Sequence, residues 1–142
     1  MALLTMPGGG RVTARNVDSG EVVAARVDVT ATRAERARGL LGRNTFEPDA
    51  GLWIAPGRGV HTCGMRFAID LVALDATGTV IDCVAGLRPW RVRLPRRHVV
   101  GVLELPEGSL QRTQTRVGHR LAFEPIAELP DPVHTGDQSC QP

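Results

Sequence analysis

The residues with chemical capacity gather in one stretch, Val60 to Asp75, which reads VHTCGMRFAIDLVALD. His61, Thr62, Cys63, Met65 and Arg66 open it, and Asp70 stands alone in the apolar run that follows. Polar groups in a segment that has to be buried are costly unless they find partners. The stretch is therefore either a site or a structural hydrogen-bond cluster.

Four chemistries are open to such residues. On a regular strand His61, Cys63 and Met65 would share a face and form a soft ligand set suited to copper. Gly64 interrupts that alternation, and a second imidazole would have to come from His98 or His119 through the fold. Core packing of Cys63 and Met65 is preferred, and neither a metal nor a cofactor is expected. A nucleophilic thiol is the second option, since His61 and Arg66 flank Cys63 and favour a thiolate. No acyl-transfer motif surrounds it, no Gly-x-Ser-x-Gly elbow exists elsewhere, and a packed cysteine is the simpler reading.

Acid–base chemistry is the third option. Asp70 lies between Ile69 and Leu71, Glu104 lies between Leu103 and Leu105, and Glu35 sits in a helical pattern. Carboxylates so placed either face an open side or pair with arginine, here Arg36, Arg43 or Arg66. Structural ion pairing is favoured over catalysis, although ionisable groups gathered in a cleft mark functional sites. The fourth is anion binding. Arg88, Arg91, Arg93, Arg96 and Arg97 follow Asp82 with Trp90 among them, and no acidic residue intervenes before Glu104. Such a run can contact phosphates and stack a base. A solvated loop is the preferred reading, with nucleic acid as the alternative partner.

The elements that must position these groups follow from pattern. Arg11–Val17 and Glu21–Val29 around Asp18-Ser19-Gly20 read as a hairpin or a pair of edge strands. Thr32 with Glu35 makes a capping box, and Ala34, Ala37, Leu40 and Leu41 then recur at helical spacing until Gly42. Gly39 inside that run points to close packing or an early end. GLWIA at 51–55 is a short buried strand, and Phe67–Leu74 is apolar on both faces, so it needs cover on both sides. Asp75–Gly78 is a hairpin loop and Thr79–Val84 the return strand. Val99–Leu105 and Leu121–Glu124 complete the set. The fold expected is mainly β: a small single-domain sandwich or barrel-like sheet with one flanking helix over about residues 32–42. Residues 1–10 are expected as a flexible lead-in, 11–128 as the β-rich domain and 129–142 as a disordered tail.

Composition fits one core: 142 residues, 42% apolar, 16 Gly and 10 Pro, net charge +2. All 17 basic residues are Arg. Three unpatterned cysteines, no signal-like N-terminus and no apolar span indicate a reduced, cytoplasmic protein with no membrane partner.

Three segments, in order, carry a resemblance. These are Thr32-x-x-Glu35-Arg36-x-Arg38-Gly39-Leu40-x-Gly42-Arg43, then His61-Thr62-x-x-Met65-Arg66-Phe67-x-Ile69-Asp70 with Leu74-Asp75, then Leu103-Glu104-Leu105-Pro106-x-Gly108. Over roughly Val12 to Phe123 the chain resembles the bacterial and archaeal family called domain of unknown function 192. The resemblance implies a compact, mostly β domain and brings no established activity. Many members carry a secretory leader or membrane anchor, from which this chain departs. Cys63 stands where an aromatic is frequent, Ala68 where Pro is usual and Leu41 where Met is usual. By matching positions, the family's polar residues fall on Arg36, Arg43, His61, Thr62, Arg66, Asp70 and Glu104. The expected site is one shallow polar pocket bordered by Met65 and Trp53, holding a small ligand, an anionic one included, or a peptide without robust catalysis. The alternatives are an enzyme using His61 with Asp70 or Glu104, and nucleic-acid binding through Arg88–Arg97.

Overall fold

A computed structural model describes Met6 and residues 8–126. Most of the expected lead-in and all of the expected tail lie outside the described residues. Gly9 and Gly10 are described, and both hydrogen-bond to the backbone of Val29. Among the described residues the elements run β1 (Arg11–Asn16), β2 (Val22–Val29), α1 (Arg33–Arg38), β3 (Ala50–Ile54), β4 (Val60–His61), β5 (Ile69–Leu74), β6 (Val80–Leu87), β7 (Val92–Arg93), β8 (Gly101–Pro106), α2 (Ser109–Thr113) and β9 (Leu121–Pro125).

Seven strands form one sheet in the order β6-β5-β8-β3-β2-β1-β9, and β4 pairs with β7 in a separate two-stranded ribbon. The large sheet curls into a half-barrel, so the mainly β, single-domain expectation holds. Its two edge strands approach at one end, where Thr79 bridges Arg120 and the Val80 amide donates to the His119 carbonyl. Of the sheet's pairings only β2 with β3 is parallel. Parallel neighbours need a crossover, and this one carries α1.

The central strands are buried on both sides, as their sequence demands. Every residue of β5 is buried. Val72 and Leu74 of β5 and Leu103 and Leu105 of β8 join Val12, Val23, Val27, Trp53 and Phe123 in one apolar cluster within the curl. Leu71, Ala73 and Val102 face the other way and pack with Leu40, Leu52, Ile54 and Met65. The Trp53 ring lies 5.3 Å from that of Phe123. It also presses on Gly101, where an added Cβ would sit 2.4 Å from the indole.

The helix is shorter than its pattern suggests. Thr32 and Glu35 form the expected capping box, but α1 ends at Arg38 and buries none of its residues. Gly39 takes φ +50°, a conformation open to glycine, and its amide closes the last turn on the Glu35 carbonyl. Leu40, just past the helix end, supplies the packing that an Ala34/Ala37 face does not.

Asp70 is a structural clasp. Its Oδ1 accepts the Gly86 amide and its Oδ2 accepts the Leu110 amide, both at 2.9 Å. One fully buried carboxylate therefore ties β5 to β6 and to the start of α2, an element the sequence pattern did not announce. Asp70→Ala should leave two amides unsatisfied and lower stability by roughly 2–4 kcal/mol. Urea unfolding midpoints, with the m-value unchanged, check this; a midpoint like wild type would show that Asp70 holds nothing.

Candidate functional site

Glu104 is the residue the fold places most unexpectedly. In β8 it pairs across the sheet with Leu52 of β3 on one side and Leu71 of β5 on the other. It shares its face with the apolar Val102, so its side chain enters the second cluster and not water. It is 3% exposed, and its Oε2 has no hydrogen-bond partner among the described residues. A Cβ built on Gly39 would stand 3.7–3.8 Å from both carboxylate oxygens, so the end of α1 lies directly over the carboxyl group.

Two clefts open beneath that helix end. One, of about 180 Å³, is lined by Arg36, Arg38, Gly39, Ile54, His61, Met65 and Glu104 among others. The second, about 330 Å³, shares Arg38 and Gly39 and adds Asp28, Thr30, Arg43 and Leu52. Burial pushes the Glu104 carboxyl up to about 7 from the ordinary 4.5, and the Arg43 charge pulls it part of the way back. A carboxyl raised this far can keep its proton near neutral pH, and so can donate as well as accept a hydrogen bond. A larger cleft of about 530 Å³ between Phe46, Phe67 and Pro106 is a weaker candidate. Two of its polar groups are already engaged: Arg112 donates to the Val22 and Val23 carbonyls and Ser109 to the Pro106 carbonyl.

The structure gathers part of the expected set and disperses the rest. Arg36, His61, Met65 and Glu104 line one cleft, and Arg43 lines the adjoining one. Thr62 is buried beside them but turns away from the cleft. Its hydroxyl donates to the Arg88 carbonyl at 2.6 Å and accepts the Arg91 amide at 2.9 Å. Arg66 reaches the Asn44 side chain on the surface. Asp70 is saturated by backbone amides, and Trp53 lies in the other apolar cluster, so neither borders the cleft. His61 is exposed and has no side-chain hydrogen bond among the described residues. A turn begins after it, with Met65 bonding back to Thr62, so His61, Cys63 and Met65 do not share a strand face.

Arg38 and Gly39 complete the cleft and were not among the site residues expected from sequence. The signal was Gly39 itself, because an early helix end is what lays these two residues over the sheet. In the basic segment, Arg93 forms a bidentate pair with Asp82 at 2.8 Å and Arg96 approaches the same carboxylate at 3.6 Å.

The model of the DUF192 family, described as an uncharacterized ACR, matches residues 14–123. The chain belongs to the DUF192 family. Its relatives include a UPF0127 protein of Thermococcus sibiricus, 27% identical over 83% of this chain and 80% of the relative. One of Pyrococcus abyssi is 31% identical over 69% of this chain and 86% of the relative. One of Pyrococcus furiosus is 37% identical, but over 45% of this chain and 54% of its own length, so that match spans about half of each protein. Among solved structures, a Novosphingobium aromaticivorans protein of unknown function superposes with TM-score 0.67 at 22% identity, over 79% of this chain and 83% of the other. A Sinorhizobium meliloti protein gives TM-score 0.72 at 21% identity, over 83% and 97%. At these identities the likeness establishes the fold alone.

The buried carboxyl should be visible in stability against pH. Below about pH 4 Glu104 is protonated in both folded and unfolded chains and contributes no difference. Between 4.5 and about 7 the unfolded chain releases this proton first, so rising pH destabilises the fold through this residue. The full penalty is about 3 kcal/mol and is reached above pH 7. Glu104→Gln should therefore gain on wild type from near zero at pH 4 toward that limit at pH 8, as read by urea unfolding. A difference that does not vary with pH would show that the carboxyl is solvated after all.

Proposed function

We propose that this protein binds a small ligand in the cleft under the end of α1, with Glu104 at its floor and arginines at its rim. The observation that carries the reading is the Glu104 oxygen, which is buried beneath Gly39 and has no partner among the described residues. A buried carboxyl without a partner costs stability, so it is a poor structural element and a suitable recognition element. Arg36 and Arg38 line the same cleft, and no carboxylate pairs with either among the described residues. The ligand then carries two features: an anionic group for the guanidinium rim, and an N–H or O–H for Glu104. Ile54 and Met65 supply the apolar wall. Small amino- and hydroxy-carboxylates have this chemistry.

Titration of labelled protein with a panel of such carboxylates, followed by amide shifts, tests the reading. Shifts should cluster at Gly39, His61 and Met65 and be lost in Glu104→Gln and Arg38→Ala. A panel that leaves those amides unmoved, while the variants change stability only, would sink it.

The same carboxyl supports a second reading, acid–base catalysis, because a group titrating near 7 suits proton transfer at neutral pH. His61 lines the same cleft and is the second group in that scheme. Under this reading the protein converts a panel member over time, and Glu104→Gln abolishes turnover while keeping affinity. Binding without turnover leaves the first reading alone.

A further inference from the structure

The ribbon made by β4 and β7 presents a surface that the cleft does not use. Among the described residues, six large apolar side chains are exposed, and three of them, Trp90, Val92 and Leu94, lie within five consecutive positions. Their exposures are 69, 62 and 75%, against 1% for Trp53. The segment is held firmly in place. Trp90 sits at φ +63°, a conformation that a bulky residue takes at a cost. Its amide donates to the Thr62 carbonyl at 3.1 Å, and the Thr62 hydroxyl bonds to the backbone of Arg88 and Arg91 on either side. The Asp82 carboxylate grips Arg93 and draws in Arg96. This leaves Arg88, Arg91 and Arg97 exposed, with no carboxylate partner among the described residues.

We propose that this ribbon docks the protein on an anionic lipid surface. Trp90, Val92 and Leu94 enter the boundary between headgroups and acyl chains, and Arg88, Arg91 and Arg97 contact lipid phosphates. Exposed apolar side chains interspersed with exposed cations supply the two features that reversible interfacial binding requires, apolar area to bury and attraction to anionic headgroups. Tryptophan prefers that boundary because its ring is apolar and its N–H is polar. A nucleic-acid partner accounts for the arginines and for one stacking ring, but leaves the aliphatic Val92 and Leu94 facing water. A second copy of the chain would bring like charges together. This proposal parts from the absence of a membrane partner expected from sequence. It concerns surface contact: among the described residues no helix is long and apolar enough to cross a membrane.

Sedimentation with vesicles of phosphatidylcholine, alone or mixed with phosphatidylglycerol, tests the assignment on the full chain. The protein should pellet with the mixed vesicles and stay in solution with the neutral ones. Trp53 is already buried, so a blue shift of the fluorescence on binding reports Trp90. Loss of each of Arg88, Arg91 and Arg97 to Ser should weaken partition roughly fivefold. Trp90→Ser with Leu94→Ser should abolish the blue shift and most of the binding, with the thermal melt and circular dichroism like wild type. Failure to pellet with the mixed vesicles overturns the proposal. So does binding unchanged in the Trp90/Leu94 variant, which would reveal charge attraction alone. Retention of a single-stranded RNA oligomer at a salt concentration that releases the vesicles overturns it in favour of nucleic acid.

Discussion

Burial of β5 and β8 on both faces is the constraint from which the other features follow. A strand apolar on two sides cannot leave either side to water, so each face of the sheet must be covered by something else. Curling covers one face, because β1, β2 and β9 come round to pack on the strands they are continuous with. Among the described residues no large sheet covers the other face, and only Val60 of the small β4–β7 ribbon packs on it. It is roofed by the crossover from β2 to β3 and by the chain between β4 and β5, through Leu40, Met65 and their neighbours. A roof assembled from a six-residue helix and turns leaves seams, and the clefts lie in them.

Glu104 gains its character from that roof. The same carboxylate on an open sheet face would be an ordinary solvated acid. Under Gly39 it is desolvated on one side by α1 and on the others by Leu52 and Leu71, with Arg43 offering charge but no ion pair. Asp70, one strand away and equally buried, shows the contrast. It is met by two backbone amides and is a fastening; Glu104 is met by a cleft. Two carboxylates in adjacent strands thus differ in role because one found hydrogen-bond donors and the other did not.

Much of this was legible in the chain. Alternation and turn residues located the β1–β2 hairpin, the Asp75–Gly78 loop and the doubly buried β5, because local preference and burial agree there. The capping box at Thr32 marked where α1 begins. Its end was ambiguous, since Gly39 and Gly42 both stop helices and only packing over the sheet selects between them. The second helix was hidden for a related reason: five residues are too few to show a period, and α2 forms where Asp70 caps an amide forty residues away.

Residue type and period are local properties, and they suffice to dictate a β-rich single core with polar residues near His61–Asp70 and at Glu104. Which of those residues share a cleft is a property of the assembled fold. Arg36, His61, Met65 and Glu104 meet there, while Thr62 turns to the ribbon, Arg66 to the surface and Asp70 to backbone amides. Partnership is a matter of which donors arrive across the fold, and spacing along one chain does not encode it. The Arg88–Arg97 run divides in the same way: Asp82 reaches across to hold Arg93 and Arg96, and the others remain with Trp90 at the surface.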